Sequence, residues 1–181
     1  MLNDFGTLIL QVVCDSNLLF LDVTTGNPGS VHDARVFRNS DLKTLLESND
    51  RRLPSEYHLL GDSAYPLKDY LLVPFRDNGH LSRIEITYNR AHSQTRVDVE
   101  RAIGLLKGKF RRLKDLDMVN VMDTPFLIFA SCVLHNFIIL QSGVDTDDID
   151  FVESDVDMNI EDINNAEPAV DKRLRIAQLL A

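Results

Sequence analysis

Apolar residues near the start of the chain fall into two short runs, Leu8 to Cys14 and Leu18 to Thr24, separated by Asp15-Ser16-Asn17. Runs of Val, Leu and Phe bounded by turn-forming residues predict two strands joined as a β-hairpin. Asn27-Pro28-Gly29-Ser30 then breaks the second strand, and Ser30 can cap a short helix whose apolar side is Val31, Ala34, Val36 and Phe37. Ser40 opens a further helical turn or two ending near Glu47. After a polar loop, Tyr57-His58-Leu59-Leu60 predicts a buried strand that stops at Gly61-Asp62-Ser63, and Leu71 to Pro74 predicts another, ended by its proline.

The period changes in the second half. Val99, Ile103, Leu106, Phe110 and Leu113 recur at spacings of four and three, which predicts an amphipathic helix from about Ser93 to about Arg112. Thr124-Pro125 supplies a side-chain cap and a proline suited to the first helical turn, so a second helix is expected to run to about Gln141 and close at Gly143. Its apolar run, Phe126 to Leu140, is shorter than the roughly 18 to 20 residues that span a bilayer. It also carries His135 and Asn136, so a buried core helix is expected and no membrane partner. Three segments result: an ordered domain over residues 1–144, an acidic disordered stretch over 145–171, and a short terminal helix in 172–181. No internal repeat is present.

With 181 residues, 44% of them hydrophobic, the chain can bury one sizeable core. Cys14 and Cys132 sit in apolar runs without metal-ligand spacing and read as reduced core residues of an intracellular protein. The first residues lack the basic start and small-residue cleavage site of a secretory signal. The net charge of −9 argues against nucleic acid only until it is divided along the chain. Residues 145–171 hold 11 of the 28 acidic residues and no Lys or Arg, which leaves residues 1–144 nearly neutral. Within those, Arg101 to Lys114 holds six basic residues and no acid, an excess that suits phosphates as well as it suits a solvated helix face.

Metal-assisted phosphoryl transfer needs carboxylates brought together from separate elements, because hard cations take oxygen ligands. Asp62 sits just past a predicted buried strand, where α/β sheets place ligands. Glu100 follows Val99 on the long helix, at the edge of the packed face; its bland alternative is an ion pair with Arg96, four residues earlier. Asp33 lies in the first turn of a helix, where the helix dipole favours an acid without any function. The five histidines show no HxH or HExxH spacing, and each reads as structural. No GxSxG elbow or Gly-rich phosphate loop supports acyl transfer or nucleotide hydrolysis.

Three ordered blocks, PGSVHDARVF (28–37), LLGDSAYPLKDYLLVPF (59–75) and VERAIGLLKGKFRRL (99–113), with LHNF (134–137), resemble the PIF/Harbinger transposases and the nucleases derived from them. The resemblance implies an α/β, ribonuclease H-like mixed sheet flanked by helices, with two Asp and one Glu holding Mg²⁺ or Mn²⁺ for phosphodiester hydrolysis. Carried over by motif, Asp62 is the second catalytic Asp, Glu100 the catalytic Glu, and Asp33 a further acid near the metal. Lys107, Lys109, Arg111 and Arg112 become candidate contacts to the DNA backbone. The family's first catalytic Asp lies on a strand that should precede the hairpin. Here only MLNDFGT precedes it, Asp4 has neither the strand nor the motif, and Asp15 and Asp22 belong to the hairpin. The domain is therefore expected to be N-terminally truncated, with its first strand missing and the upstream DNA-binding region absent. A protein partner supplying DNA binding and a nuclear location follow from the same resemblance. The competing reading is a domesticated, non-catalytic DNA- or protein-binding module on the same fold.

Overall fold

The computed structural model describes residues 2–5, 8–28, 33–48, 53–113, 123–144 and 167–181. The chain falls into two compact units: Met1–Val36 with Asp98–Asp155, and Phe37–Val97 with Val156–Ala181. Mixed α/β composition is as expected, with two small sheets and five α-helices among the described residues.

In the first unit, β1 (Leu2–Phe5), β2 (Leu8–Cys14) and β3 (Phe20–Pro28) form an antiparallel sheet in that order. A strand does therefore precede the hairpin, which corrects the expectation for Asp4: it lies in β1, opposite Ile9. The hairpin turn is built by Asp15. Its Oδ1 accepts the backbone N–H groups of Asn17 and Leu19, both at 3.0 Å. Leu18 adopts φ 65°, a left-handed conformation unusual for a branched side chain, so β3 starts at Phe20 and not at Leu18. Nor does Asn27-Pro28 break the strand. β3 is at the sheet edge, where a residue without an N–H is tolerated, and Pro28 pairs with Leu8.

Helix α3 (Arg83–Lys109) begins ten residues before Ser93, its expected start, and well before the aliphatic stripe that opens at Val99. Ser82 and Glu85 form a reciprocal cap: Ser82 N–H donates to Glu85 Oε2 at 2.7 Å, and Glu85 N–H to Ser82 Oγ at 3.3 Å. The C-terminal half of α3 belongs to the first unit. There Ala102, Ile103, Leu105 and Leu106 pack with Leu10, Val12 and Phe20 of the sheet and with Ile128, Cys132 and Ile139 of α4 (Thr124–Ser142). The helix ends at Lys109, and a 3-10 turn over Arg111–Leu113 follows, so Arg111 and Arg112 stand outside the α-helix.

Helix α4 differs from expectation in burial. Its sequence is apolar on all sides, but only the face of Ile128, Ser131, Cys132, His135 and Ile139 is buried. Phe126, Phe129, Val133, Phe137 and Leu140 are each more than half exposed. Among the described residues it is the one helix long and apolar enough to cross a membrane. Its N-cap is Asp123, not Thr124, and makes no side-chain capping bond; Gly143 closes the other end. Two polar residues of α4 hold the hairpin: Asn136 donates to Phe20 O and accepts from Phe20 N, both at 2.8 Å. His135 Nε2 lies 2.9 Å from Leu18 O.

The second unit contains α2 (Asp41–Glu47), the parallel pair β4 (Leu59–Leu60) and β5 (Leu71–Leu72), the N-terminal half of α3, and α5 (Glu167–Leu180). The short helix α1 (Asp33–Arg38) spans the boundary between units. Ser40 caps α2 as its sequence predicts, accepting Lys43 N–H at 3.2 Å. Helix α5 starts at Glu167, before the expected Lys172, and takes in the end of the acidic stretch. Residues 145–166 of that stretch, expected to be disordered, lie outside the described residues.

Candidate metal centre

Asp62 is placed by the strand before it. Leu59 N–H donates to Tyr70 O at 2.8 Å and Gly61 N–H to Leu72 O at 2.9 Å, which pairs β4 with β5 up to the residue preceding the carboxylate. Gly61 sits in a tight space: a Cβ there would lie 3.1 Å from Leu71 Cδ1 and 3.3 Å from Tyr65 Cβ, so those side chains would have to shift. The chain then turns on Asp62 itself, whose Oδ1 accepts the Ala64 N–H at 2.9 Å. The second oxygen, Oδ2, lies 3.9 Å from Arg96 Nη2, and both side chains are largely shielded, at 20% and 15% exposure.

Arg96 belongs to a polar row on α3. Asn89, His92 and Arg96 recur at spacings of three and four, and each addresses the β4–β5 region. Asn89 brackets Phe75, accepting its N–H at 2.7 Å and donating to its carbonyl at 2.8 Å. His92 Nε2 lies 3.3 Å from Leu72 O. Burial is the main reason its pKa falls from 6.5 to about 4; the Leu72 carbonyl and Asp62 oppose the shift, and Arg96 and His58 add to it. His92 is therefore neutral near pH 7, donating from Nε2. Spacing alone offers Arg96 to Glu100; the structure turns it to Asp62.

Glu100 lies in the part of α3 assigned to the first unit, half-buried, immediately before the buried Ala102 to Leu106 segment. Asp33 opens α1, and its side chain lies outside the described residues. Lys107 and Lys109 are half-buried in the last turn of α3, where the helix C-terminus favours cations, and both already interact within the chain. Arg111 and Arg112 are exposed. Among the described residues, no group of three or more His, Cys, Asp or Glu gathers as a metal site. Asp62 nonetheless fits a hard divalent cation in kind: it is a fixed carboxylate with lone pairs beyond its one backbone bond. The cysteines do not. Burial raises Cys14 to about 11 and Cys132 to about 12, so both stay as thiols.

Asn89 carries no signal of its own in the sequence, His92 reads there as structural, and Arg96 only as a partner for Glu100. The three form a polar row at helical spacing, which an aliphatic stripe does not reveal.

A family model described as DDE superfamily endonuclease matches residues 3–136. Protein ALP1-like of Arabidopsis thaliana is 33% identical over 154 residues, covering 78% of this chain and 37% of that protein. "Putative nuclease HARBI1" of Rattus norvegicus is 36% identical over 139 residues, covering 74% of this chain and 38% of that protein. The human protein of the same name is 33% identical over 139 residues, with the same coverage, 74% and 38%. The chain thus spans less than two-fifths of the length of these relatives. No solved structure matches it.

Proposed function

This chain belongs to the DDE superfamily endonuclease family, with relatives among the Harbinger transposase-derived nucleases, and on that premise we propose that it serves a divalent-metal-dependent DNA endonuclease. Asp62 and Glu100 are the proposed metal ligands, Asp33 the proposed third acid, and the sheet architecture proposed is ribonuclease H-like. The observation that carries the reading is Asp62: a carboxylate set at a strand end by a paired β4–β5 ladder and fixed by the Ala64 N–H. Mg²⁺ or Mn²⁺ held by these acids would supply Lewis-acid stabilisation to a phosphodiester under attack by water. The chain's own residues perform the positioning. Gly61 lets the strand approach Tyr65 and Leu71, and Asn89 and His92 fix the backbone of Phe75 and Leu72. Arg111 and Arg112, with Lys107 and Lys109 beside them, are proposed to face the DNA backbone, where contacts fix register without reading sequence. A nuclear location and a protein partner that supplies DNA binding belong to the same proposal.

The test is nicking of supercoiled DNA with Mn²⁺ or Mg²⁺, by the 181-residue chain and by a longer form that contains it. Asp62→Asn and Glu100→Gln should each lower nicking by about a hundredfold or more, equivalent to about 3 kcal/mol of transition-state stabilisation. Nicking that persists in either variant overturns that ligand, and metal-independent nicking overturns the mechanism.

A further inference from the structure

Asp62 has a resident cation of its own. Arg96 is 15% exposed, its Nη2 lies 3.9 Å from Asp62 Oδ2, and His92, one turn earlier on α3, is no acid that could pair with it. A guanidinium so shielded needs a counter-charge, because a buried ion left unpaired is costly. Asp62 provides it through Oδ2, while Oδ1 accepts the Ala64 N–H.

Resting on the proposal that Asp62 is a metal ligand, we infer that Arg96 is the built-in competitor for that site. Its guanidinium stands 3.9 Å from Oδ2 and opposes a divalent cation that approaches that oxygen. Two consequences follow from charge alone. Arg96 places a positive charge beside Oδ2 and so orients the carboxylate. It also weakens metal binding, because a dication and a guanidinium on one carboxylate repel each other, and that repulsion is strong where water is largely excluded. Arg96 then acts as a positioning and gating residue, not a catalytic one. Its planar fork of donors suits a phosphate oxygen, so DNA would relieve the competition and favour metal entry.

The Ala64 amide, one hydrogen bond from Asp62, reports the site directly. In ¹⁵N-labelled protein, Mn²⁺ bound at Asp62 broadens this resonance, so the Mn²⁺ concentration that halves its intensity measures occupancy without any activity. Arg96→Met should lower that concentration about fivefold or more, from the loss of one nearby positive charge. Arg96→Gln should do the same if the Met variant fails to fold, and Arg96→Lys, which keeps the charge, should stay with the wild type. An unchanged or higher Mn²⁺ requirement in the neutral variants overturns the inference and indicates that Arg96 only orients Asp62. Asp62→Asn separates the two levels: if Ala64 still broadens as in the wild type, the metal-ligand reading itself fails.

Discussion

His92 illustrates how much of this molecule's behaviour is decided by one side chain's surroundings. Enclosed between Tyr88, whose ring centroid lies 5.8 Å away, and the Leu72 carbonyl, it stays neutral down to about pH 4, whereas an exposed histidine protonates near 6.5. Between those values the unfolded chain binds the proton and the folded one does not, so folding stability is full above about pH 6.5 and is lost as pH falls toward 4. At about 1.4 kcal/mol per pKa unit, the loss is about 3 kcal/mol. Burial lowers His58 and His135 in the same direction. All four tyrosines lie between residues 57 and 88 and the chain has no tryptophan, so tyrosine fluorescence reports the second unit alone. Urea unfolding followed this way should show a steep loss of stability from pH 7 to pH 5 that His92→Gln flattens; identical pH slopes would rule out His92 as its source. The sequence exposed none of this. It identified His92 as structural, but nothing in its neighbours along the chain predicts enclosure by residues four and twenty positions away.

At the scale of elements, the legible parts were those fixed by local chemistry. The Asp15 turn, the Ser40 cap and the Gly143 stop are each written within a few residues of where they act. The start of α3 was also legible, in the Ser82-x-x-Glu85 pair, but its first half buries Tyr88 and His92 instead of an aliphatic stripe, so periodicity hid it. What could not be read was pairing between distant segments. Helix α5 is the strongest example: Lys172, 8% exposed, donates to Ser55 O, Tyr57 O and Asp69 O at 2.7 to 2.9 Å. Arg173 stacks 4.0 Å over the Phe75 ring. These bonds tie down the chain just before β4, just before β5 and just after β5, the frame on which Asp62 is carried. Lys172→Met would leave three carbonyls without this donor, at about 1 to 3 kcal/mol for each that stays buried. Amide exchange at Leu59 and Gly61, the two ladder donors, should then quicken by about tenfold or more. Exchange confined to the wild-type rate would mean that α5 is only an accessory to the strand pair.

Over the whole molecule, the sequence blocks that carried the family resemblance turn out to be of two physical kinds. Gly61-Asp62, from the second block, sets a carboxylate at a strand end in the second unit, faced by the Asn89-to-Arg96 row that lies outside the blocks. In LHNF, by contrast, His135 and Asn136 hold β3 in place and Leu134 and Phe137 face outward, so that motif serves the architecture of the first unit. Motif recognition found both without telling them apart. Hydrogen-bond partners do so, because a ligand candidate keeps free lone pairs and a structural polar group uses them on backbone.

The two bonds between Asn136 and Phe20 also set an order of events during synthesis. They join positions 116 residues apart, and the first unit is interrupted in the chain by residues 37–97 of the second. A ribosome that has released the hairpin has released none of the helix turns that bury Leu10, Val12 and Phe20. Those side chains wait in water until α4 emerges, and closing so long a loop is slow. Nascent chains arrested with residue 97 just outside the exit tunnel should therefore be cut readily by protease between residues 8 and 28, and chains arrested after α4 has emerged should resist. Equal resistance at both lengths would show that the hairpin folds without its helices. If they differ, the hairpin is a segment for which a chaperone matters, since it is made long before the helices that shelter it.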